Sequence, residues 1–280
     1  MKTVILGANG QLGRQLGRTL PGEVIALSHA DADVTSAIVL RQTLAQLRPR
    51  FVVNAAGYTQ VDKAEAHPAE AFAVNAIALR DLASICHDLD STLIQVSTDY
   101  VFGLDAARVS PYRETDAPGP LSAYGHSKLA GEHFVRALCP KHFILRTCGL
   151  YGPGHSNFVH TMLRQAKEAM PLRVVDDQIC TPTAALDLAH AVAELLASQA
   201  YGLYHVTNSG ACSWHEFARM IFAIKKMDVT LVPITSDQYG APARRPRYSV
   251  LSNARWIGQG FTPLRSWQEA LESYLAMRPE

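Results

Sequence analysis

Short, wholly apolar runs alternate with amphipathic stretches over the first part of the chain. Thr3-Val4-Ile5-Leu6, Val24-Ile25-Ala26-Leu27, Phe51-Val52-Val53 and Leu93-Ile94-Gln95-Val96 are rich in β-branched residues and hydrophobic throughout. That is the pattern of strands covered on both faces. Between them, Gln11–Leu20, Ala37–Leu47, Ala69–Ala78 and Ile77–Leu89 read as helices, and His142–Arg146 and Leu203–Val206 as further strands. The βαβα alternation predicts an α/β protein with a Rossmann-type doubly wound parallel sheet.

After Gly149 the texture changes. Gly152-Pro153-Gly154, Pro171, Pro182, Pro233, Pro242 and Pro246 break up the pattern. Leu264, Trp267, Leu271, Tyr274 and Leu275 then recur at the spacing of a helix sealing a core. The expected organisation is a dinucleotide-binding domain from 1–148 and about 180–206. A smaller C-terminal substrate-binding lobe takes about 149–179 and 207–280.

Composition narrows the partners. With 280 residues, 48% apolar and 18% charged, the chain can bury a sizeable core. A net charge of +1 leaves no electrostatic footprint for nucleic acid or an anionic membrane. No apolar run reaches the ~18 residues of a membrane span, and Thr3–Leu6 is too short for a signal-peptide core. Cys86, Cys139, Cys148, Cys180 and Cys212 are odd in number and never CxxC, as reduced cytoplasmic thiols are. The 11 histidines form no ligand cluster, so no metal is expected.

Gly7-Ala8-Asn9-Gly10-Gln11-Leu12-Gly13 stands between the first strand and the first helix. There Gly7 permits the turn, Gly10 admits a pyrophosphate and Gly13 lets the helix pack on the sheet. The second strand ends Leu27-Ser28-His29, offering neither an acid for a ribose hydroxyl nor a base for a 2′-phosphate. NAD(H) and NADP(H) both stay open. Asp31 and Asp33 suit either adenosine or, with Thr35 and Ser36, a helix cap.

Tyr124-Gly125-His126-Ser127-Lys128 places a phenol and an ammonium on one helical face. An adjacent Lys128 would stabilise a phenolate and lower the Tyr124 pKa. Val96-Ser97-Thr98-Asp99 closes a buried strand at the end where doubly wound sheets bind ligands, and a hydroxyl there can polarise a carbonyl. Chance supplies either string alone; their order along one βα pattern does not.

These motifs resemble the extended short-chain dehydrogenase/reductase family, and within it the dTDP-4-dehydrorhamnose reductases. Asn54 through Glu65, Ser97 through Phe102, Tyr124 through Glu132, Asp177-Gln178 with Thr181-Pro182-Thr183, and Arg245-Pro246 with Ser249 and Leu251 carry the likeness along the whole chain. The resemblance implies a catalytic set of Thr98, Tyr124 and Lys128. It implies cofactor contacts from Gly7, Asn9, Gly10, Gln11, Leu12, Gly13, Asp33, Val34, Ala55, Ala56, Tyr58, Asn75 and Ser97, with Tyr124 and Lys128. Thr59, Val61, Asp99, Tyr100 and Gln178 would face a sugar nucleotide, and Arg245 its diphosphate, although Arg244, Arg245 and Arg247 also suit a solvated face.

The implied activity is NAD(P)H-dependent reduction of the C4 keto group of a nucleotide-linked 4-keto-6-deoxyhexose. A homodimer is a further possibility. Arg146-Thr147-Cys148-Gly149-Leu150-Tyr151-Gly152 departs from the family's Arg-Thr-Ser-Trp-Val-Tyr-Gly, losing an aromatic face at Gly149 and leaving the sugar open. Gln15 replaces a Glu that bridges a metal-bound dimer in some relatives. Tyr100 stands where dehydratases of the family place Glu, against a dehydratase or epimerase. A non-catalytic dinucleotide-binding regulatory subunit is the other reading, opposed by the intact Thr98, Tyr124 and Lys128.

Overall fold

In the computed structural model, which describes residues 1–154, 156–168 and 170–277, the apolar runs pair edge to edge. In chain order the strands are β1 (Lys2–Leu6), β2 (Glu23–Leu27), β3 (Phe51–Asn54), β4 (Thr92–Thr98), β5 (His142–Thr147), β6 (Leu172–Val175), β7 (Ile179–Cys180), β8 (Gly202–His205), β9 (Cys212–Ser213) and β10 (Leu231–Ile234). Six form one parallel sheet in the order β2-β1-β3-β4-β5-β8. Two small sheets, β10-β6 and β7-β9, lie apart from it. The order reverses between β1 and β3, so a crevice opens at their carboxyl ends.

The helices are α1 (Gln11–Thr19), α2 (Ala37–Leu47), α3 (Val61–Ala66), α4 (Pro68–Phe72), α5 (Ala78–Asp88), α6 (Ala123–Leu138), α7 (Phe158–Gln165), α8 (Ala185–Leu195), α9 (Trp214–Lys225), α10 (Ser236–Tyr239), α11 (Ala254–Gly258) and α12 (Trp267–Ala276). Alternation along the strands sorts the core into two layers. Val4, Leu6, Val52, Leu93 and Ile144 meet α2, α5 and α6, through Leu40, Leu44, Leu82 and Val135 among others. Ile5, Val53, Ile94, Phe143 and Leu145 meet α1 and α8, through Leu12, Leu16, Leu188 and Val192. A separate cluster joins α7, β6, α9 and α12.

Two details differ from the sequence pattern. Residues expected as two helices, Ala69–Ala78 and Ile77–Leu89, form one run in which a π turn at Ala73–Ile77 joins α4 to α5. The final helix starts at Trp267, where Ser266 and Glu269 form a reciprocal cap, so Leu264 precedes it. Within 207–280, α11 seats the buried Trp256 in the α1–α8 layer of the sheet. Among the described residues no helix is long and apolar enough to cross a membrane.

Candidate active site

The loop after β1 is built by close approach. Gly7 has φ +82°, and a Cβ on it would lie 2.6 Å from the Ala56 nitrogen; one on Gly13 would lie 2.2 Å from the Gly7 oxygen. Gly10 is different: a Cβ there would meet only the Gly7 carbonyl, at 3.3 Å. Gly10 precedes α1 without a side-chain cap, and no acidic residue occupies the first turn. The N–H groups of that turn and the positive end of the helix dipole are therefore answered by no capping side chain or acid of the turn, a seat that fits a pyrophosphate. Asn9 accepts from Arg14 Nε through its carbonyl at 3.0 Å, and Gln11 Oε1 accepts from Asn157 Nδ2 at 2.8 Å.

The acidic pair follows the end of β2. Ser36 caps α2, and Asp33 Oδ1 accepts from Thr35 N at 2.9 Å and Thr35 Oγ1 at 2.8 Å, which lowers its pKa. Val34 is buried in the α2 layer. Beyond β3, Ala55 and Ala56 sit beside the Gly7 turn, and Ala56 N donates to Asn54 Oδ1 at 3.2 Å. The π turn aims Asn75 inward. Its Oδ1 accepts from Tyr58 N (2.9 Å), and its Nδ2 donates to Tyr58 O (3.0 Å) and Ser127 Oγ (3.0 Å). Asn75 is thus spent supporting the cleft wall from behind. An extra residue in a helical turn costs regularity and recurs at functional sites.

Ser122 caps α6, accepting from Gly125 N at 3.1 Å, and the helix carries Tyr124 and Lys128 one turn apart. Two glycines let α6 press inward: a Cβ on Gly125 would fall 2.3 Å from the Tyr100 oxygen, and one on Gly131 2.0 Å from the Asn75 oxygen. Lys128 Nζ donates to the Val96 carbonyl at 2.7 Å. Thr98 Oγ1 accepts from Tyr100 N at 3.2 Å and shares a hydrogen bond with the Tyr124 phenol. The Tyr100 ring meets Tyr124 edge-on, with centroids 5.9 Å apart.

The electrostatics correct one expectation. Burial pushes Tyr124 up to about 12, with the Thr98 hydrogen bond opposing and Asp99 reinforcing. Lys128 is not among the groups that shift it; its ammonium donates to the Val96 carbonyl. Burial draws Lys128 itself down to about 8, against the Glu132 carboxylate. Asp99 is buried and its pKa raised by desolvation; it accepts from Cys148 Sγ at 3.0 Å and from Ser249. The Ser97 hydroxyl is donated to Glu132, away from the cleft.

The residues expected to face substrate gather on the same rim. Arg245 binds Asp62 at two points, 3.0 and 2.8 Å, and hydrogen-bonds Tyr100. Much of its charge is therefore already answered, which the sequence did not reveal. Gln178 is buried and donates to Ser236 Oγ at 2.9 Å. β7 ties it to the Arg245 segment through Ile179 N on the Arg247 carbonyl, 2.8 Å. Thr59 is exposed just before α3, and Val61 is half-buried at its first position. Gly149 has φ +53°, and a Cβ there would lie 3.1 Å from the Trp214 ring and 3.2 Å from Pro182 Cα. An indole from α9 thus fills the space beside the residue where the family's Trp was expected. Asp62, Glu132, Arg146, Cys148 and Trp214 were missed as site residues. Asp62, Glu132, Arg146 and Cys148 stood inside the strings compared with the family; Trp214 stood in none.

Comparison with known proteins agrees with this geometry. The sequence matches the family model described as RmlD substrate binding domain over residues 1–278. It is 42% identical to the dTDP-4-dehydrorhamnose reductase of Streptomyces griseus, covering 98% of this chain and 93% of that one. It is 40% identical to the spore coat polysaccharide biosynthesis protein SpsK of Bacillus subtilis, covering 99% and 98%. The structure superposes on the dTDP-4-dehydrorhamnose reductase of Bacillus anthracis in complex with NADP, with a TM-score of 0.96, 39% identity and 99% of each chain covered.

Proposed function

The chain belongs to the RmlD substrate binding domain family, and from that premise we propose that it is an NAD(P)H-dependent reductase of a dTDP-linked 4-keto-6-deoxyhexose. The reaction is that of a dTDP-4-dehydrorhamnose reductase. The observation that carries the reading is Thr98, Tyr124 and Lys128 converging at the carboxyl end of β4. NADPH is the assigned working cofactor, since the Bacillus anthracis protein was solved with NADP.

Gly7, Asn9, Gly10, Gln11, Leu12 and Gly13 hold the pyrophosphate at the uncapped start of α1, and Asp33 and Val34 lie toward the adenine. Ala55, Ala56 and Tyr58 wall the cleft. A bound nicotinamide supplies the hydride. Thr98 and Tyr124 hydroxyls bind the carbonyl oxygen of the sugar. The neutral Tyr124 phenol gives its proton to that oxygen as negative charge develops. Lys128 keeps two N–H donors beyond the one on Val96, and these serve the ribose of the dinucleotide. Thr59, Val61, Asp99, Tyr100, Gln178 and Arg245 are assigned to the sugar-nucleotide side. The segments 149–179 and 207–280 are assigned to its cover.

The test is oxidation of NADPH and NADH by the purified protein with dTDP-6-deoxy-L-lyxo-4-hexulose, with Tyr124→Phe as blank. Oxidation that depends on the sugar nucleotide is expected. Tight dinucleotide binding with no turnover of either cofactor would overturn the assignment.

A further inference from the structure

Behind the catalytic helix lies a buried polar cluster that the roles above leave unused. Arg146 on β5 grips Glu132 on α6 at two points, Nε to Oε1 at 2.9 Å and Nη2 to Oε2 at 2.6 Å. Ser97 Oγ, near the end of β4, donates to the same Oε1 at 2.5 Å. The side chains of Glu132 and Arg146 are 0% and 2% exposed. Arg146 Nη1 stands 3.5 Å from His205 Nε2, whose Nδ1 is 3.0 Å from the Tyr112 carbonyl. Burial holds His205 down at about 3. The ring is therefore neutral, with Nδ1–H donating to Tyr112 and Nε2 facing Arg146.

A buried ion pair is a poor source of net stability, since apolar residues of similar volume often serve as well or better. The local effect of the charges is the better guide. Lys128 and Glu132 are four residues apart on one face of α6, and the residues receiving them, Val96 and Ser97, are consecutive on β4. Helix and strand are thus pinned at two successive rungs, Lys128 on the Val96 carbonyl at 2.7 Å and Ser97 on Glu132 at 2.5 Å. We infer that Glu132 is a positioning residue: fixed by Arg146 and Ser97, its carboxylate sets α6 against β4 and holds the Lys128 ammonium at the reaction site.

The surroundings of Lys128 identify Glu132 as the group acting on it. Helix α6 contributes Tyr124 and Glu132, and β4 with its following turn contributes Thr98 and Asp99. From β5 comes Arg146, from just beyond its end Cys148, and from the π turn the uncharged Asn75. Glu132 supports the protonated state of Lys128 against burial.

The test reads Lys128 directly, by lysine-¹³C NMR titration of the full chain. Wild type, Glu132→Gln and the double variant E132M/R146M are compared, and the alkaline limb of kcat for NADPH oxidation is followed in parallel. In E132Q the Lys128 midpoint is expected to fall from about 8 with a tenfold or greater loss of proton affinity, and the kcat limb moves with it. E132M/R146M removes both charges of the ion pair, so it keeps the test open if E132Q does not fold; the same downward move is expected. An unmoved midpoint in a folded variant, with only thermal stability changed, overturns the inference. The activity arm rests on the reductase reading, but the titration needs no substrate. Absent turnover in wild type would therefore count against that reading alone.

Discussion

At Tyr124 the surroundings decide which way a proton moves. Burial holds the phenol at about 12, so it is neutral at physiological pH and suited to donate. Tyr124→Phe should lower kcat by ~10²–10⁴-fold, the usual contribution of a positioned general acid. Dinucleotide affinity should stay near wild type; rate assays and fluorescence titration check the two. Lys128, drawn down to about 8, is charged below that pH and loses its proton above it. Reductase kcat should therefore fall as pH rises through about 8, a limb Tyr124 cannot produce. A rate level up to about pH 10 would contradict the assignment of Lys128. Spacing alone revealed both side chains. It did not reveal that the Val96 carbonyl takes the ammonium, because helix periodicity carries no information about the strand opposite.

Helix α6 works only because it sits unusually close to its neighbours. A methyl group at Gly131 would lie 2.0 Å from the Asn75 oxygen, a backbone atom of the π turn. Gly131→Ala should cost ~1–3 kcal/mol, the range for overpacking. It should also lower kcat by displacing Tyr124 from Thr98. Urea denaturation and the reductase assay would show it, and wild-type values in both would contradict the packing described. The six strands of the main sheet and Ala37–Leu47 were legible because continuous apolar runs or a helical period are bounded by turn residues, whereas β6, β7, β9 and β10 were not expected. The stretch from Ala69 to Leu89 read as two overlapping helices. A π turn shifts the apolar stripe by one residue, and a period of 3.6 cannot follow it.

For the molecule as a whole, the chain's last third returns to the sheet it left. Trp256 is fully buried, with its ring 4.2 Å from Phe261 and 5.9 Å from Tyr204. Arg265 grips Asp187 at the start of α8 with bonds of 2.9 and 2.8 Å. Trp256→Ala should destabilise by ~3–5 kcal/mol, measured by denaturant unfolding. It should leave kcat of the folded enzyme unchanged, because Trp256 touches none of the catalytic side chains. The parallel sheet was legible from the βα rhythm. The reversal between β1 and β3 was not, since each strand is apolar on both faces and names no neighbour. The short α11 was hidden in a stretch interrupted by turns.

The contact between Gly149 and Trp214 also bears on how this chain can diverge. A Cβ at 149 would crowd both the indole and the Pro182 backbone, at 3.1 and 3.2 Å, on a residue whose φ is +53°. A side chain at position 149 is therefore strained, and its neighbours must give way to admit it. Replacing Trp214 by something smaller would relieve one of these contacts, while the Pro182 backbone and the positive φ would still oppose a larger side chain. The two residues touch, so the effect of a substitution at one should depend on the residue at the other.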